Sequence, residues 1–360
     1  MTQRLENPEV GAPASTTAVA PWETRESWTR PGAHELAAGV FRIPLPLPMD
    51  GLKAVNVYAV VSAEGVTLID GGWAILEAEE QLTRAMDEIG CGIDAVTDVL
   101  VTHAHRDHYT LAVTLRRKWG SRISIGIGER TSMEDLAVRP EFSVPRQVEQ
   151  LRRAGAAQLA EAMRDLDNPF DNSHWTLPDN WLDSGTVIKL DDERQLEAIH
   201  TPGHTAGHMV FIDRRHGLVF SGDHVLPHIT PSVGFEQVPT SSPLSDYLSS
   251  LALLRDLPDG RLLPAHGPSM TSVHARVDEL LEHHARRLDL TCRALAAGAS
   301  TAYEVAQKLK WTGRARMLTE LDPFNQSLAT LETAAHLDVL VERGLVRREE
   351  NGQDVATYAI

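Results

Sequence analysis

Three histidines and an aspartate fall within six consecutive positions of the sequence. They are His103, His105, Asp107 and His108 in the segment "THAHRDH", which directly follows the apolar run "DVLV". In an extended segment alternate side chains point to the same side, so His103 and His105 can bind one metal ion. Asp107 and His108 stand where the next helix is predicted to begin, and they suit a second ion nearby. The segment therefore predicts a metal site in preference to a polar loop.

Further ligand-type residues follow predicted strands elsewhere in the chain. His204 stands at a Pro-Gly turn in "HTPGHTAGH", Asp223 ends the run "VFSGD", and His266 ends "LLPAH". His200 and His208 flank the turn, and His200 is expected to lie back on its strand. Binding residues often sit on loops at the ends of a rigid sheet. Together these chain segments offer seven nitrogen and oxygen ligands, enough for two transition-metal ions with solvent positions left open.

These stretches, with "LIDGG" upstream of them, resemble the metallo-β-lactamase-fold superfamily in their order and spacing over residues 40–290. The segment "HTPGHTAGHM" and the C-terminal part look most similar to the β-lactamase-like protein 2 branch, beside the glyoxalase II-like hydrolases. The resemblance implies an α/β fold, the αββα sandwich. It also implies a dinuclear ligand set, with one ion on His103, His105 and His204, a second ion on Asp107, His108 and His266, and Asp223 bridging them.

Other residues near the motifs have expected roles. Asp70 in "LIDGG" either orders the ligands from outside the metal sphere or is a simple turn aspartate. Tyr109 stands where the family usually has a glycine, and it could reach the site. Asp223 stands where the zinc lactamases of this family have a cysteine ligand, which argues against a β-lactam substrate. Asp107 and His228 are the predicted catalytic residues. His228 is expected either to donate a hydrogen bond to the substrate oxyanion or to face solvent.

The predicted chemistry is hydrolysis by a metal-bound hydroxide. Two divalent ions lower the pKa of a shared water toward neutrality, and one ion can also polarise the bond that breaks. The mixed nitrogen and oxygen donors favour two zinc ions, although iron or manganese could bind the same residues. We expect a small-molecule acyl substrate, namely a thioester, an ester or a lactone. The alternative is a metal-dependent phosphodiesterase, above all a ribonuclease, because the same metal pair serves nucleases.

The elements that must position these residues are short strands and helices. Each strand-like run is bounded by Gly, Pro, Asp or Asn, and amphipathic helical segments lie between the runs. This mixture predicts two sheets covered by helices. The strand-like runs occupy residues 39–47, 56–62, 65–72, 98–102, 122–128, 196–201, 208–213, 217–223 and 261–267.

The chain divides into three predicted regions. Residues 1–30 have early charges and scattered prolines, which predict a disordered lead-in. Residues 31–290 form the predicted catalytic domain. From residue 291 to residue 360, helices followed by a two-stranded tail suggest a winged-helix-like domain.

A helical insertion is predicted at residues 130–182 within the catalytic domain. Its tip is rich in aromatic residues and turn formers, including Phe170, Trp175 and Trp181. These rings either cover an acyl group or pack against the parent domain.

The charge of the chain bears on its partners. The net charge is −16, which opposes the broad positive field that nucleic acid or an anionic membrane requires. Residues 291–360 carry eight Lys/Arg against nine Asp/Glu, so we expect them to form a structural lid or a homodimer contact and not a nucleic-acid reader. Cys91 and Cys292 stand outside any metal-binding spacing, and no apolar signal segment is recognised. We therefore expect a cytoplasmic protein without a membrane partner.

Overall fold

Two β-sheets that pack face to face form the centre of the computed structural model. The structure describes residues 27–48, 51–139, 146–165, 172–236, 238–350 and 354–360. Within these residues, the first sheet contains, side by side in chain order, β1 (His34–Ala37), β2 (Val40–Pro46), β3 (Ala54–Ser62), β4 (Gly65–Ile69), β5 (Val96–Val101), β6 (Arg122–Gly126) and β7 (Asn180–Leu182). The second sheet contains β8 (Thr186–Lys189), β9 (Gln195–His200), β10 (Met209–Asp213), β11 (Leu218–Gly222) and β12 (Arg261–Pro264), in the order β12-β11-β10-β9-β8.

The strands that precede most of the predicted ligands run parallel to a neighbour. In the first sheet β4 pairs in parallel with β5, and β5 pairs in parallel with β6. In the second sheet β11 pairs in parallel with β12. Parallel neighbours end at the same edge of a sheet, which is where open α/β folds usually place their ligand sites. The residues that follow β4 therefore lie beside those that follow β5. In the same way, the residues that follow β11 lie beside those that follow β12.

Helices cover the outer faces of both sheets. On the first sheet lie α1 (Leu76–Ile89) and α2 (Arg106–Trp119). On the second sheet lie α6 (Pro243–Asp256), α7 (Val273–Ala296) and α9 (Pro323–Glu342). The other helices are α3 (Arg130–Val138), α4 (Arg146–Arg153), α5 (Ala157–Asp165) and α8 (Ala302–Lys308). Within the described residues, no helix combines the length and the apolar composition that a membrane span requires.

Alternate side chains of each strand face different layers of the fold. In β3, Val57 packs in the cluster beneath α1 and α2, whereas Tyr58 packs in the cluster between the two sheets. In β10, Phe211 faces the first sheet and Val210 faces the helices on the second. The rings of Tyr58 and Phe220 meet edge to face across the two sheets, with centroids 5.3 Å apart. The layer order of helices, sheet, sheet and helices confirms the predicted αββα sandwich.

The C-terminal segment shares the core of the second sheet. Leu337 of α9 and Tyr358 near the C-terminus belong to the same buried cluster as Val210 of β10. α7 continues without a break to Ala296, so the domain boundary predicted after residue 290 falls inside this helix and needs correction. The short strands of the segment pair as β13 (Lys310–Trp311) with β14 (Arg316–Met317), and as β15 (Arg347–Glu350) with β16 (Ala356–Ala359). The winged-helix interpretation of this segment stays a prediction.

Two other predicted boundaries move. The disorder predicted for residues 1–30 is wrong for residues 27–29, because Ser27–Thr29 form a 3-10 helix whose Trp28 is buried. Residues 1–26 lie outside the described residues. The insertion predicted for residues 130–182 begins with the helices α3, α4 and α5. It ends before residue 180, because β7 pairs in parallel with β6 and is a strand of the first sheet.

The aromatic residues of the insertion pack within the protein. Trp175 is buried and its ring stacks on that of Tyr109, with centroids 6.0 Å apart. The Tyr109 hydroxyl donates a hydrogen bond to the carbonyl oxygen of Thr176 at 2.6 Å. Trp181 lies in β7, and the guanidinium of Arg130 lies over its ring at 5.4 Å. The expectation that Tyr109 reaches the site is therefore wrong, and the packing interpretation explains Trp175. Phe170 lies outside the described residues.

The shared core predicts that the C-terminal segment and the second sheet unfold together. Leu337 is fully buried in that core, whereas Leu345, just after α9, is 55% exposed. We expect Leu337→Ala to lower the free energy of unfolding by about 2–5 kcal/mol and Leu345→Ala by less than about 1 kcal/mol. The measurement is denaturant unfolding followed by tryptophan fluorescence, with one cooperative transition in each protein. A separate early transition in Leu337→Ala, with the main midpoint unchanged, would show that the segment folds by itself.

Candidate metal centre

The structure brings all the predicted ligand residues to one place, on the loops that follow β5, β9, β11 and β12 and at the start of α2. They form two groups, and within each group the ligand-type atoms lie within 4.8 Å of one another. The first group contains His103, His105, His204 and Asp223, and the second contains Asp107, His108 and His266. The grouping is the one that the resemblance implies, with Asp223 placed geometrically in the first group.

The three histidines of the first group converge through ring nitrogens. Nδ1 of His105 lies 2.9 Å from Nε2 of His103 and 3.1 Å from Nε2 of His204. In the second group, Oδ2 of Asp107 lies 3.4 Å from Nε2 of His266. Separations of this size are those of atoms that bind a common cation at about 2.0–2.2 Å.

The carboxylate of Asp223 lies between the two groups. Its Oδ2 is 3.5 Å from Nε2 of His204 in the first group. Its Oδ1 is 3.3 Å from Nε2 of His266 and 3.7 Å from Nε2 of His108, both in the second group. Each oxygen of this carboxylate thus faces a different group, a placement that is compatible with a bridging ligand.

Backbone carbonyl groups fix the tautomers of two histidines. Nδ1 of His204 donates a hydrogen bond to the carbonyl oxygen of Ser232 at 2.8 Å, and Nδ1 of His266 donates to that of Ala54 at 2.7 Å. A carbonyl oxygen can only accept, so Nδ1 carries the proton in both rings. In the neutral form, Nε2 therefore presents its lone pair to the ligand group, as a metal-binding histidine does.

Asp70 orients a histidine in each group. Its Oδ2 accepts a hydrogen bond from Nδ1 of His108 at 2.9 Å. Its Oδ1 accepts one from the backbone N–H of Thr102 at 2.8 Å, and the Thr102 hydroxyl, which also donates to this carboxylate, lies 3.0 Å from Nδ1 of His103. The Asp70 backbone is in the left-handed region, with φ of 61°. These contacts support the interpretation of Asp70 as the residue that orders the ligands.

The chemistry of the donor atoms fits metal ions. Nε2 of His108, Nε2 of His266 and Oδ1 of Asp223 are buried and have no hydrogen-bond partner among the described residues. With Nδ1 protonated, the two nitrogens face carboxylate oxygens as acceptor against acceptor, an unfavourable arrangement unless a cation lies between them. A His/Asp site of this kind is a site for metal ions.

The electrostatics of the second group also favour a cation. Burial alone would lower the pKa of His108, but Asp70, Asp107 and Asp223 together raise it to about 10. Burial likewise opposes protonation of His266, whose pKa is nevertheless raised by Asp223 and Asp107. The carboxylates thus hold positive charge at this point. A divalent metal ion can take the place of these protons.

The histidines of the first group remain neutral. Burial, reinforced by repulsion from neighbouring histidines, lowers the pKa of His103 well below its usual range and that of His105 to about 3. The pKa of His204 is also lowered by burial. Neutral imidazole is the form that binds a metal ion, so these rings are ready to serve as ligands.

The other histidines of the motifs have different surroundings. His200 contacts the carbonyl oxygen of Ala206 at 2.9 Å and lies on β9, as expected from the sequence. His208 is buried, and its Nε2 accepts a hydrogen bond from the backbone N–H of Asp223 at 3.2 Å. His208 therefore orders Asp223, a role that sequence reasoning missed. His228 lies on the loop after β11, is half-buried and belongs to neither ligand group.

Gly222 lets the strand that carries Asp223 approach the other ligands. Its φ is 51°, and a Cβ placed on it would lie 2.7 Å from Nε2 of His208 and 2.7 Å from the side chain of Thr102. A larger residue would push these positioning groups away from the site. The close approach explains why glycine directly precedes Asp223.

Comparison with protein families and known proteins gives consistent results. The metallo-β-lactamase superfamily model matches residues 50–266. The probable metallo-hydrolase YqjP of Bacillus subtilis (strain 168) is 26% identical over 320 residues, covering 83% of this chain and 90% of that protein. The β-lactamase-like protein 2 homolog of Caenorhabditis elegans is 35% identical over 124 residues, covering 34% of this chain and 37% of that protein. An atrochrysone carboxyl ACP thioesterase of Aspergillus fumigatus is 34% identical over 248 residues, covering 69% of this chain and 46% of that protein.

The fold is also similar to that of a solved structure. A metallo-β-lactamase family protein from Thermus thermophilus superposes with a TM-score of 0.72 at 27% identity. The superposition covers 90% of this chain and 99% of that protein, so the likeness extends into the C-terminal segment.

The hydrogen bonds of Asp70 predict that the Thr102 hydroxyl contributes to metal affinity. Thr102→Val keeps the size of the side chain but leaves Nδ1 of His103 without its partner, whereas Thr102→Ser keeps the hydroxyl. We expect Thr102→Val to weaken zinc binding by about 10-fold to 100-fold and Thr102→Ser to weaken it far less. Competition against a zinc chelator measures both affinities. Equal affinities for the two variants would rule out this role for the hydroxyl.

Proposed function

This chain belongs to the metallo-β-lactamase superfamily of metal-dependent hydrolases, and from that membership we propose that it is a dinuclear zinc hydrolase of a thioester, an ester or a lactone. One observation carries the proposal above all others. The two oxygens of Asp223 approach histidines of different groups, at 3.5 Å in the first group and 3.3 Å in the second. This placement supports two ions that share one carboxylate.

The ligand residues would hold two ions, and the ions would supply the chemistry. Bound divalent ions would supply an activated water and polarise the carbonyl group of the substrate. His103, His105 and His204 would hold one ion, and Asp107, His108 and His266 would hold the other. Zinc is the ion that this mixture of nitrogen and oxygen donors favours, and iron or manganese would fit the same donors.

We assign Asp107 a role in catalysis as well as in metal binding. Its side chain is 21% exposed, against 10% for Asp223, so it is the more open of the two carboxylates in the site. Burial alone would raise the pKa of Asp107, but His108 and His266 hold it below its usual range and keep the carboxylate charged. A charged, accessible carboxylate can orient the attacking water by accepting a hydrogen bond from it. A hydrogen bond from His228 to the substrate oxyanion is part of the same proposal.

An acyl substrate is favoured over the alternatives. The similar proteins named above include a thioesterase and a metallo-hydrolase. The net charge of −16 argues against RNA, because phosphate contacts would form against an unfavourable field. Trp175 packs against Tyr109, so it is not available to contact an acyl group. We therefore assign the contacts with the acyl group to other residues.

The C-terminal segment packs on the second sheet, which supports a structural role for this segment. A homodimer contact through it is part of the same proposal.

Metal content tests the dinuclear part of the proposal. We expect about two zinc ions per chain after purification with zinc, because two separate groups supply the ligands. Asp223→Ala should retain one ion or fewer, since it removes the ligand that both groups share. Asp70→Ala should retain more metal and more activity, because it removes only an orienting contact. Elemental analysis of the dialysed proteins measures the content. One ion in the unmodified protein, or equal losses in the two variants, would contradict the assignment.

Substrate class is tested with the zinc-loaded protein and a panel of an acyl thioester, a lactone, a β-lactam and a structured RNA. We expect hydrolysis of the thioester or the lactone, and at least about 100-fold lower rates with Asp223→Ala, which excludes a contaminating enzyme. The product assays are thiol release, ring-opened acid and RNA fragments. Turnover of RNA alone would replace the acyl hydrolase by the phosphodiesterase alternative.

A further inference from the structure

A buried carboxyl group outside the ligand groups joins the two loops that carry the three histidines of the first group. Glu129, at the end of the 3-10 helix Ile127–Glu129, is fully buried. Its Oε1 accepts a hydrogen bond from the hydroxyl of Thr205, which directly follows His204. The backbone N–H of Ala104 lies close enough to this carboxyl group to lower its pKa, and so does that of Gly207. Glu129 therefore contacts the residue that follows His204, and its carboxyl group lies near the backbone between His103 and His105.

The backbones come unusually close at this point. A Cβ on Gly207 would lie 2.1 Å from the backbone nitrogen of Glu129, and a Cβ on Gly128 would lie 2.7 Å from the carbonyl oxygen of Ala206. These two glycines allow the segment after β6 to pack directly against the loop that carries His204. The contact of Glu129 with this loop is thus fixed by the backbone and does not depend on a flexible side chain reaching across a gap.

A second carboxyl group holds the neighbouring residue of the same loop. Glu236 accepts a hydrogen bond from the backbone N–H of Ala206, at 3.0 Å to Oε2, and one from the Ser132 hydroxyl at 3.3 Å. The same stretch of chain also provides the carbonyl oxygen of Ser232, which orients His204. The loop of His204 is therefore held by Glu129 on one side and by residues 232–236 on the other.

Residues 232–236 are themselves fixed by more distant parts of the fold. The ring of Phe235 meets that of Phe324, in the first turn of α9, with centroids 5.5 Å apart. The carbonyl oxygen of Phe235 accepts a hydrogen bond from the side chain of Gln147 in α4 at 2.8 Å. The insertion and the C-terminal segment thereby help to fix residues 232–236, which in turn hold the loop of His204.

We propose that Glu129 and Glu236 are positioning residues that lock the His204 loop against the His103 and His105 loop, and that Glu129 sets the metal affinity of the first group. The proposal rests on the metal assignment of the proposed function. It goes beyond that assignment by naming the residues that hold the ligands of one ion in their relative positions. Within the described residues no hydrogen bond or ion pair joins Glu129 or Glu236 to a ligand side chain, so both act through the loops.

The two carboxyl groups differ in how readily they bind a proton. Burial raises the pKa of both residues, and the charge of Glu129 raises that of Glu236 further. The hydroxyl of Thr205 donates a hydrogen bond to Oε1 of Glu129, and the backbone N–H groups of Ala104 and Gly207 lie near enough to favour its charged form, whereas its Oε2 has no hydrogen-bond partner among the described residues. The pKa of Glu129 is raised to about 7 and that of Glu236 to about 8, so Glu236 is the member that binds a proton more readily. A glutamine resembles a protonated glutamate in shape and charge, so the two positions should respond differently to Glu→Gln.

The test measures zinc affinity in proteins that retain only one ligand group. Asp107→Ala disables the second group and His105→Ala disables the first, and Glu129→Gln and Glu236→Gln are added to each. We expect Glu129→Gln to weaken zinc binding by about 10-fold to 100-fold in the Asp107→Ala protein and by less than about 3-fold in the His105→Ala protein. Glu236→Gln should change neither affinity by more than about 3-fold. Glu134→Gln, on α3 with a side chain 57% exposed, is the matched control.

Three results would overturn the proposal. They are an equal loss of affinity in both backgrounds, no loss in either, or a larger effect of Glu236→Gln than of Glu129→Gln. If Glu129→Gln does not fold, Thr205→Val and Thr205→Ser replace it, since only valine removes the hydrogen bond to Glu129. The valine variant should then weaken the first group more than the serine variant, and equal effects would overturn the proposal. Proteins that bind no zinc even without these substitutions would instead refute the metal assignment, so the two failures are distinguishable.

Discussion

The carboxylate of Asp223 between two sets of histidine lone pairs is the interaction on which the rest of the structure depends. Its oxygens face nitrogens of both ligand groups at 3.3–3.7 Å, and those nitrogens present lone pairs because their rings donate hydrogen bonds through Nδ1. Without cations, so many buried acceptors could not be placed together at low energetic cost. The site is therefore built for positive charge.

The fold meets this demand by fixing loops and not only side chains. Parallel strand pairs in each sheet deliver the ligand loops to one region, and Asp70 then orders both groups through His108 and Thr102. His208 holds the backbone of Asp223, and Gly222 allows the close approach. The insertion and α9 contact the chain that orients His204, so parts of the protein far from the metal site contribute to its geometry.

The ligands and the two-sheet architecture could be predicted because their signals are local. Each ligand stands within a few residues of an apolar run, and such runs are recognisable from composition and from the turn residues that bound them. The outer contacts could not be predicted in this way. The carbonyl oxygens of Ser232 and Ala54 carry no side-chain signal, and Glu129 is a single acidic residue 26 positions after His103 that acts only through tertiary contact. The short strands β1, β7 and β8 were also missed, because four or fewer residues do not establish a periodic pattern. Tyr109 was misjudged because its neighbour in sequence is a ligand, whereas its ring turns to the core and stacks on Trp175.

The most direct test of the bridging role of Asp223 is anomalous scattering at the zinc absorption edge from crystals of the zinc-loaded protein. The structure predicts two anomalous peaks on either side of the Asp223 carboxylate. One peak should lie beside His103, His105 and His204, and the other beside Asp107, His108 and His266. A single peak, or two peaks of which only one contacts Asp223, would contradict a centre in which this carboxylate joins two ions.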